Sequence, residues 1–286
     1  MELKIMNRKI RIAPLLIVLF VILSLYVLSM VGLFFWGLIT SLKDDVYYGL
    51  PTQWMFINYL EVFVQFTMPA GIEKVYFETI LGNSLAYALG CAFFKTLVPC
   101  IAAYACARFN TKLSKIVHSV VLITMIVPIV GSLPSEIRVA YSVGFYNHIW
   151  GLWIMSANML GLYFFVMYSA FKAMPMGYSE AAKIDGANNL QVLLQIALPL
   201  VKNLFFTILL IHFVEFWNNY QTPMVYLPNY PTLGYSLFYM TFGSNEMKEP
   251  VKQIALTLTV ATPVLVLFIC FQERLMGNLT LGGLKG

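Results

Sequence analysis

Between Arg11 and Lys43 the chain runs for 31 residues without a charged side chain. Five further apolar stretches follow, at about 79–105, 116–135, 149–171, 204–224 and 253–272, each bracketed by charged or amide residues. A helix rises about 1.5 Å per residue, so roughly 20 apolar residues cross the ~30 Å hydrocarbon core of a bilayer. The pattern therefore predicts an all-α polytopic membrane protein with six transmembrane helices. Membrane-spanning strands would show alternating stretches of about ten residues, and that alternation is missing. The first stretch is too long for the apolar part of a secretory signal and carries no A-x-A cleavage pattern. It is expected to be a retained span that also targets the chain to the membrane.

Residues 173–203 interrupt the apolar pattern. Pro175 suits a first helical turn and Gly186 a helix stop. Asn188 and Asn189 suit the cap of a second helix, whose expected apolar face is Leu190, Leu193, Leu194 and Ala197. Pro199 is expected to limit that helix and introduce the next span. The result would be a short helix, a glycine turn and an amphipathic helix along the membrane surface. Ala181 and Ala182 are small enough for a partner to approach the backbone closely. Glu180 and Asp185 supply charges for ion pairs or capping contacts. Such a unit can transmit force as a rigid body from a soluble partner to the membrane helices.

Composition supports the membrane class. Charged residues make up 11% of the chain and hydrophobic ones 60%, against roughly 25% charged in soluble domains. Cytoplasmic segments hold the excess of Lys and Arg. Six spans place twelve of the 18 basic residues on the side of both termini and five on the other, with Lys95 inside a span. Both termini are thus expected to be cytoplasmic. The net charge of +5 is scattered in small clusters, without the basic stripe that would point to nucleic acid. The four cysteines form no C-x-x-C pair and the three histidines lie far apart, so no disulfide framework, metal site or cofactor is expected. Nor is there a G-x-x-x-x-G-K-[ST] loop or a Ser-His-Asp spacing. No catalytic residue is expected, and any energy source would be a partner or an ion gradient.

Glu180-Ala181-Ala182, then Gly186, Ile196 and Leu198-Pro199, reproduce the spacing of the EAA loop of ATP-binding-cassette importer permeases. Seven fixed positions match by chance at on the order of 10⁻⁸ per starting point. "AAYACARF" (102–109), "EFWNNYQTPMVYL" (215–227) and "LTLGGLKG" (279–286) resemble segments of the carbohydrate permeases of the maltose and multiple-sugar type. The resemblance implies the type I importer permease fold and a prokaryotic cytoplasmic (inner) membrane location. It implies residues 1–78 as an anchor span with an outer loop, and 79–286 as the permease core with its coupling loop at 173–203. It implies a second permease subunit, two cytoplasmic ATPase subunits and an extracytoplasmic solute-binding protein, with lipid around the spans. Coupling to the ATPase would fall to Glu180, Ala181, Ala182, Asp185, Gly186, Ile196, Leu198 and Pro199, with Lys285 of the tail as a further contact. The implied function is ATP-driven, binding-protein-dependent import of a sugar or oligosaccharide. The alternatives are the same architecture for a non-sugar solute, or an ion-coupled secondary transporter.

Polar residues inside the apolar stretches are the candidates for a substrate path. A carboxylate at membrane depth is costly and faces a cavity or a partner. Glu215, Trp217, Asn218 and Asn219 are therefore candidates, with contacts between helices as the competing role. His212, three residues before Glu215, would share its face. Lys95 either snorkels to the inner surface or pairs with Glu215. Pro99, Pro128 and Pro263 are expected to kink their helices. All five tryptophans (Trp36, Trp54, Trp150, Trp153, Trp217) fall on the outer side, as an aromatic belt or as sugar-stacking surfaces. The outer segment at about 41–78 is aromatic and acidic, and reads as a short interfacial helix or a docking surface.

Overall fold

The computed structural model describes residues 2–5, 8–11, 14–44, 49, 51, 53–70, 73–109, 111–127, 131–243 and 249–279. Two short strands, β1 (Glu2–Ile5) and β2 (Arg8–Arg11), pair antiparallel before α1 (Pro14–Ser41). Then come α2 (Ile57–Gln65) and a second antiparallel pair, β3 (Thr67–Ala70) and β4 (Glu73–Tyr76). The helices α3 (Phe77–Arg108), α4 (Lys112–Ile126), α5 (Leu133–Val143), α6 (Ile149–Ser156) and α7 (Leu162–Ala173) follow. After α8 (Gly177–Ile184) and α9 (Asn189–Val192), a π-helical stretch (Leu193–Ala197) leads into α10 (Leu198–Asn218). The described chain closes with α11 (Gln221–Tyr226), α12 (Leu233–Phe242) and α13 (Pro250–Leu279).

The chain divides into two compact units. One comprises Met1–Phe63 with Glu246–Thr259, the other Val64–Asn245 with Val260–Gly286. In the first, α1 exposes an almost unbroken apolar surface from Leu15 to Trp36. Its end is covered, with Thr40 and Ser41 buried. In the second unit, α3 is the central element and packs against α6, α7 and α10. Ala88, Ala92, Thr96 and Cys100 repeat every four residues along one face of α3, followed by Ala103, and none is exposed. Small side chains at that spacing let neighbouring helix backbones approach closely. Tyr104, Phe164, Met167, Phe171 and Ile208 fill the space beyond this stripe.

Among the described residues four helices are long and apolar enough to cross a membrane: Pro14–Ser41, Phe77–Arg108, Asn189–Asn218 and Pro250–Gln272. Two expected stretches depart from single helices. The one at 116–135 stops as a helix at Ile126, and Val127 is extended at φ −86°, ψ 113°. The residue before a proline is pushed away from helical angles, and residue 128 is proline. The stretch at 149–171 is two helices, of 8 and 12 residues. Ala157 leaves helical geometry, and Gly161 adopts φ +125°, open chiefly to a residue without a Cβ. By contrast α3 and α13 continue through Pro99 and Pro263. The expectations for Pro128, for Lys285 and for nearly all of the terminal "LTLGGLKG" lie outside the described residues.

Candidate functional site

The loop expected to couple the chain to a partner is built from short-range rules. Helix α8 ends in a Schellman motif: Gly186 N–H donates to the Lys183 carbonyl at 3.1 Å, and Ala187 N–H to the Ala182 carbonyl at 2.9 Å. Gly186 makes the reversal possible at φ +86°. The next helix starts with a capping box. Gln191 N–H donates to Asn188 Oδ1 at 2.9 Å, and Asn188 N–H to Gln191 Oε1 at 2.7 Å. Pro175 precedes α8 rather than occupying its first turn.

Pro199 does not separate this helix from the following span. The chain is continuously helical over Asn189–Asn218. Leu198 N–H donates to the Leu193 carbonyl, a five-residue step that widens the helix just before the proline. A proline lacks an N–H and crowds the carbonyl of the preceding turn, and the wider turn accommodates it. The buried face also differs from the expected one. Val192, Leu193 and Ala197 are buried, whereas Leu190 and Leu194 are 63% and 54% exposed.

Of the eight residues expected at the coupling surface, Ala181, Ala182, Asp185 and Ile196 line one depression of about 530 Å³, with Pro175, Gly177 and Tyr178. Ala182 is buried there and Ala181 and Asp185 are exposed. Glu180 lies instead at a smaller hollow of about 130 Å³, beside Arg108, Ser179 and Lys183. Leu198 packs against the core cluster, and Pro199 is exposed on α10. Sequence reasoning missed Arg108. Its Nη2 donates to the Met174 carbonyl at 2.9 Å, and its Nη1 meets Met176 Sδ. The last turn of α3 is thereby tied to the segment entering α8. The signal available was a lone arginine closing an apolar helix.

At the other end of α3 and α10 lies a cavity of about 560 Å³. Lys95 Nζ and Glu215 Oε1 meet at its side, 2.8 Å apart. The Lys95 ammonium also stands 5.1 Å from the Phe216 ring centroid, close enough for cation–π attraction. One residue on, Thr96 Oγ1 lies 2.9 Å from His212 Nδ1, fully buried. Thr96 already donates its hydroxyl proton to the Ala92 carbonyl at 2.7 Å. A hydroxyl donating there leaves its oxygen to accept from the Nδ1–H tautomer of His212. The expected common face of His212 and Glu215 thus meets consecutive residues of α3.

None of the four substrate-path candidates lines this cavity. Glu215 stands behind Lys95, which lines it. Trp217 is buried and donates Nε1–H to the Val260 carbonyl at 2.9 Å. Asn218 donates back to the Val214 carbonyl of its own helix. Asn219 accepts from Thr222 N–H at 3.0 Å at the start of α11. The lining includes Tyr87, Glu136, Ser156, Asn158 and Gln221 instead. Tyr226 donates its hydroxyl to Glu136 Oε2 at 3.5 Å. Tyr87 is 1% exposed. These residues come from four segments of chain, and only Glu136 stood out as an isolated charge. Of the tryptophans, Trp153 donates to the Ala86 carbonyl at 2.9 Å. Trp36, Trp54 and Trp150 are exposed.

Residues 95–273 match the family described as binding-protein-dependent transport system inner membrane component, and the chain belongs to that family. It is 31% identical to the melibiose/raffinose/stachyose import permease protein MelC of Bacillus subtilis, over 72% of this chain and 77% of that one. It is 28% identical to the sulfoquinovosyl glycerol transport system permease protein SmoH of Agrobacterium fabrum, over 89% and 90% of the two chains. Its fold is similar to a chain of a bacterial transporter involved in import of the acidic polysaccharide alginate. The TM-score is 0.74 and the identity 22%, with 90% and 95% of the two chains covered.

Proposed function

We propose that the chain is a transmembrane permease subunit of an ATP-driven importer that passes a sugar or oligosaccharide inward through a path shared with a second permease. An extracytoplasmic binding protein delivers the substrate, and two cytoplasmic ATPase subunits supply the work. The chain crosses the cytoplasmic membrane of a prokaryote six times, with both termini inside. Residues 1–78 form an anchor span and outer loop, and 79–286 form the permease core. The sugar assignment draws on the substrates named for the relatives and on the cavity, where hydroxyl, amide and carboxylate groups stand among aromatic and methionine side chains.

The observation that carries the reading is the exposed loop 177–199, with Ala181, Ala182, Asp185 and Ile196 around one depression. An ATPase surface seated there would touch the start of the 30-residue helix Asn189–Asn218. Ile196 and Glu215 are separated by about 29 Å of that helix at 1.5 Å per residue. A rigid helix carries displacement at the loop to the Lys95–Glu215 pair beside the cavity. Helix α3 is linked to the segment entering that loop through Arg108 and Met174. Both helices that hold the ion pair therefore reach this loop or the segment entering it, so ATPase closure can alter the cavity without touching it.

The test is uptake in vesicles containing the permease pair, the ATPases and the binding protein. Labelled sugars and oligosaccharides should accumulate only with ATP. Accumulation driven by an ion gradient without the ATPases would overturn the mechanism. ATP-driven accumulation restricted to non-sugar solutes would overturn the substrate class alone.

A further inference from the structure

We infer that α2 is an interfacial anchor whose outer face lies in the headgroup and acyl boundary of the lipid bilayer. Phe56, Ile57, Leu60 and Phe63 are 67%, 44%, 59% and 46% exposed. At 3.6 residues per turn they share an arc of roughly 120°. The opposite side holds Asn58 and Val62, both buried. A surface helix in water shows the reverse arrangement, with apolar residues inward and polar ones outward.

The inward side is fastened by polar contacts. Asn58 Nδ2 donates to the carbonyls of Ser41 and Lys43, at 3.0 and 2.8 Å, and Ser41 Oγ lies 2.8 Å from Tyr59 Oη. Glu61 binds Lys252 at 2.8 Å. These contacts set α2 at the C-terminal end of α1. The 28 residues of α1 extend about 42 Å, beyond the ~30 Å hydrocarbon core, so this end lies at a membrane boundary. Trp36, little more than one turn before Ser41, is 58% exposed, and Trp54 just before α2 is 56% exposed. Tryptophans favour that boundary. The stripe thus continues an apolar surface that lipid must already cover. A short amphipathic helix there buries its apolar side about 5–10 Å deep.

The inference rests on α1 spanning a membrane and on neither the substrate nor the ATPase coupling, so failed uptake leaves it standing. The test places nitroxide labels on Phe56→Cys, Leu60→Cys and Phe63→Cys, singly, with the four native cysteines replaced. The assembled transporter is reconstituted in phosphatidylethanolamine–phosphatidylglycerol vesicles. Collisions with oxygen, which partitions into lipid, and with a water-soluble nickel chelate are measured. Oxygen collisions should exceed nickel collisions at all three positions, and the order should reverse for the exposed Gln53→Cys. Higher nickel collisions on the stripe would place it in water and overturn the inference. Low collisions with both would mean that a protein partner covers it, with the same consequence. Ile57→Cys, on the same stripe, replaces any variant that fails to assemble.

Discussion

Lys95 and Glu215, 120 residues apart in sequence, meet at 2.8 Å between α3 and α10. Their side chains are 28% and 50% exposed, so the attraction falls between that of surface pairs and that of buried ones. About 1–2 kcal/mol is the expected coupling. Glu215→Gln should lower both thermal stability and uptake. Exchanging the two charges, Lys95→Glu with Glu215→Lys, should recover most of each. A double variant no better than the worse single one, in uptake and melting temperature, would show that the charges act separately.

Gly186 sits at φ +86° in the Schellman turn. A β-branched residue there carries strain of roughly 1–3 kcal/mol, while asparagine tolerates the conformation. Gly186→Val should insert into the membrane normally yet fail to retain the ATPase and lose uptake, with Gly186→Asn affected far less. Co-purification of the ATPase, read beside uptake in the same cells, checks both. Full association and transport by the valine variant would remove 180–186 as the coupling element.

Arg108 ties the end of α3 to Met174. Arg108→Gln should keep most of the ATPase bound, because this residue lies outside the depression around Ala181 and only in the smaller hollow beside Glu180. It should reduce the substrate transported per ATP hydrolysed. Measuring hydrolysis and uptake together separates this outcome from simple loss of assembly, in which both would fall in proportion.

Thr96 and His212 form a buried pair inside the helix contact. Thr96→Val removes the partner of His212 Nδ1 and leaves a buried polar atom unsatisfied, at a cost of about 1–3 kcal/mol. The melting temperature of the purified complex should fall, with uptake lost only in step with folded protein.

Sidedness is the remaining expectation. Asn229, in the loop before α12, should react as Asn229→Cys with an impermeant thiol reagent added outside sealed cells. Asn188→Cys, exposed just after the Gly186 turn, should react only after permeabilisation. The opposite result would invert the membrane orientation and remove the coupling argument.

Much of the 177–199 loop was legible because its geometry is local. The turn at Gly186 and the cap at Asn188 act within a few residues, where spacing alone specifies the partners; the reciprocal bond from Gln191 was seen only in the structure. The long apolar stretches were legible for a similar reason, since length and the absence of charge are properties of the chain itself. The tertiary structure decided what those rules do not reach. The widened turn at Leu193–Ala197 carries the helix through Pro199 and exposes Leu190 and Leu194. Ala157 and Gly161 break the 149–171 stretch. Trp217 finds the Val260 carbonyl, and α2 turns its apolar side outward because Asn58 and Glu61 hold the other side. The Lys95–Glu215 pair was one of two open readings until α3 and α10 came together. A side chain's type limits its possible partners, but only packing brings one of them within bonding distance.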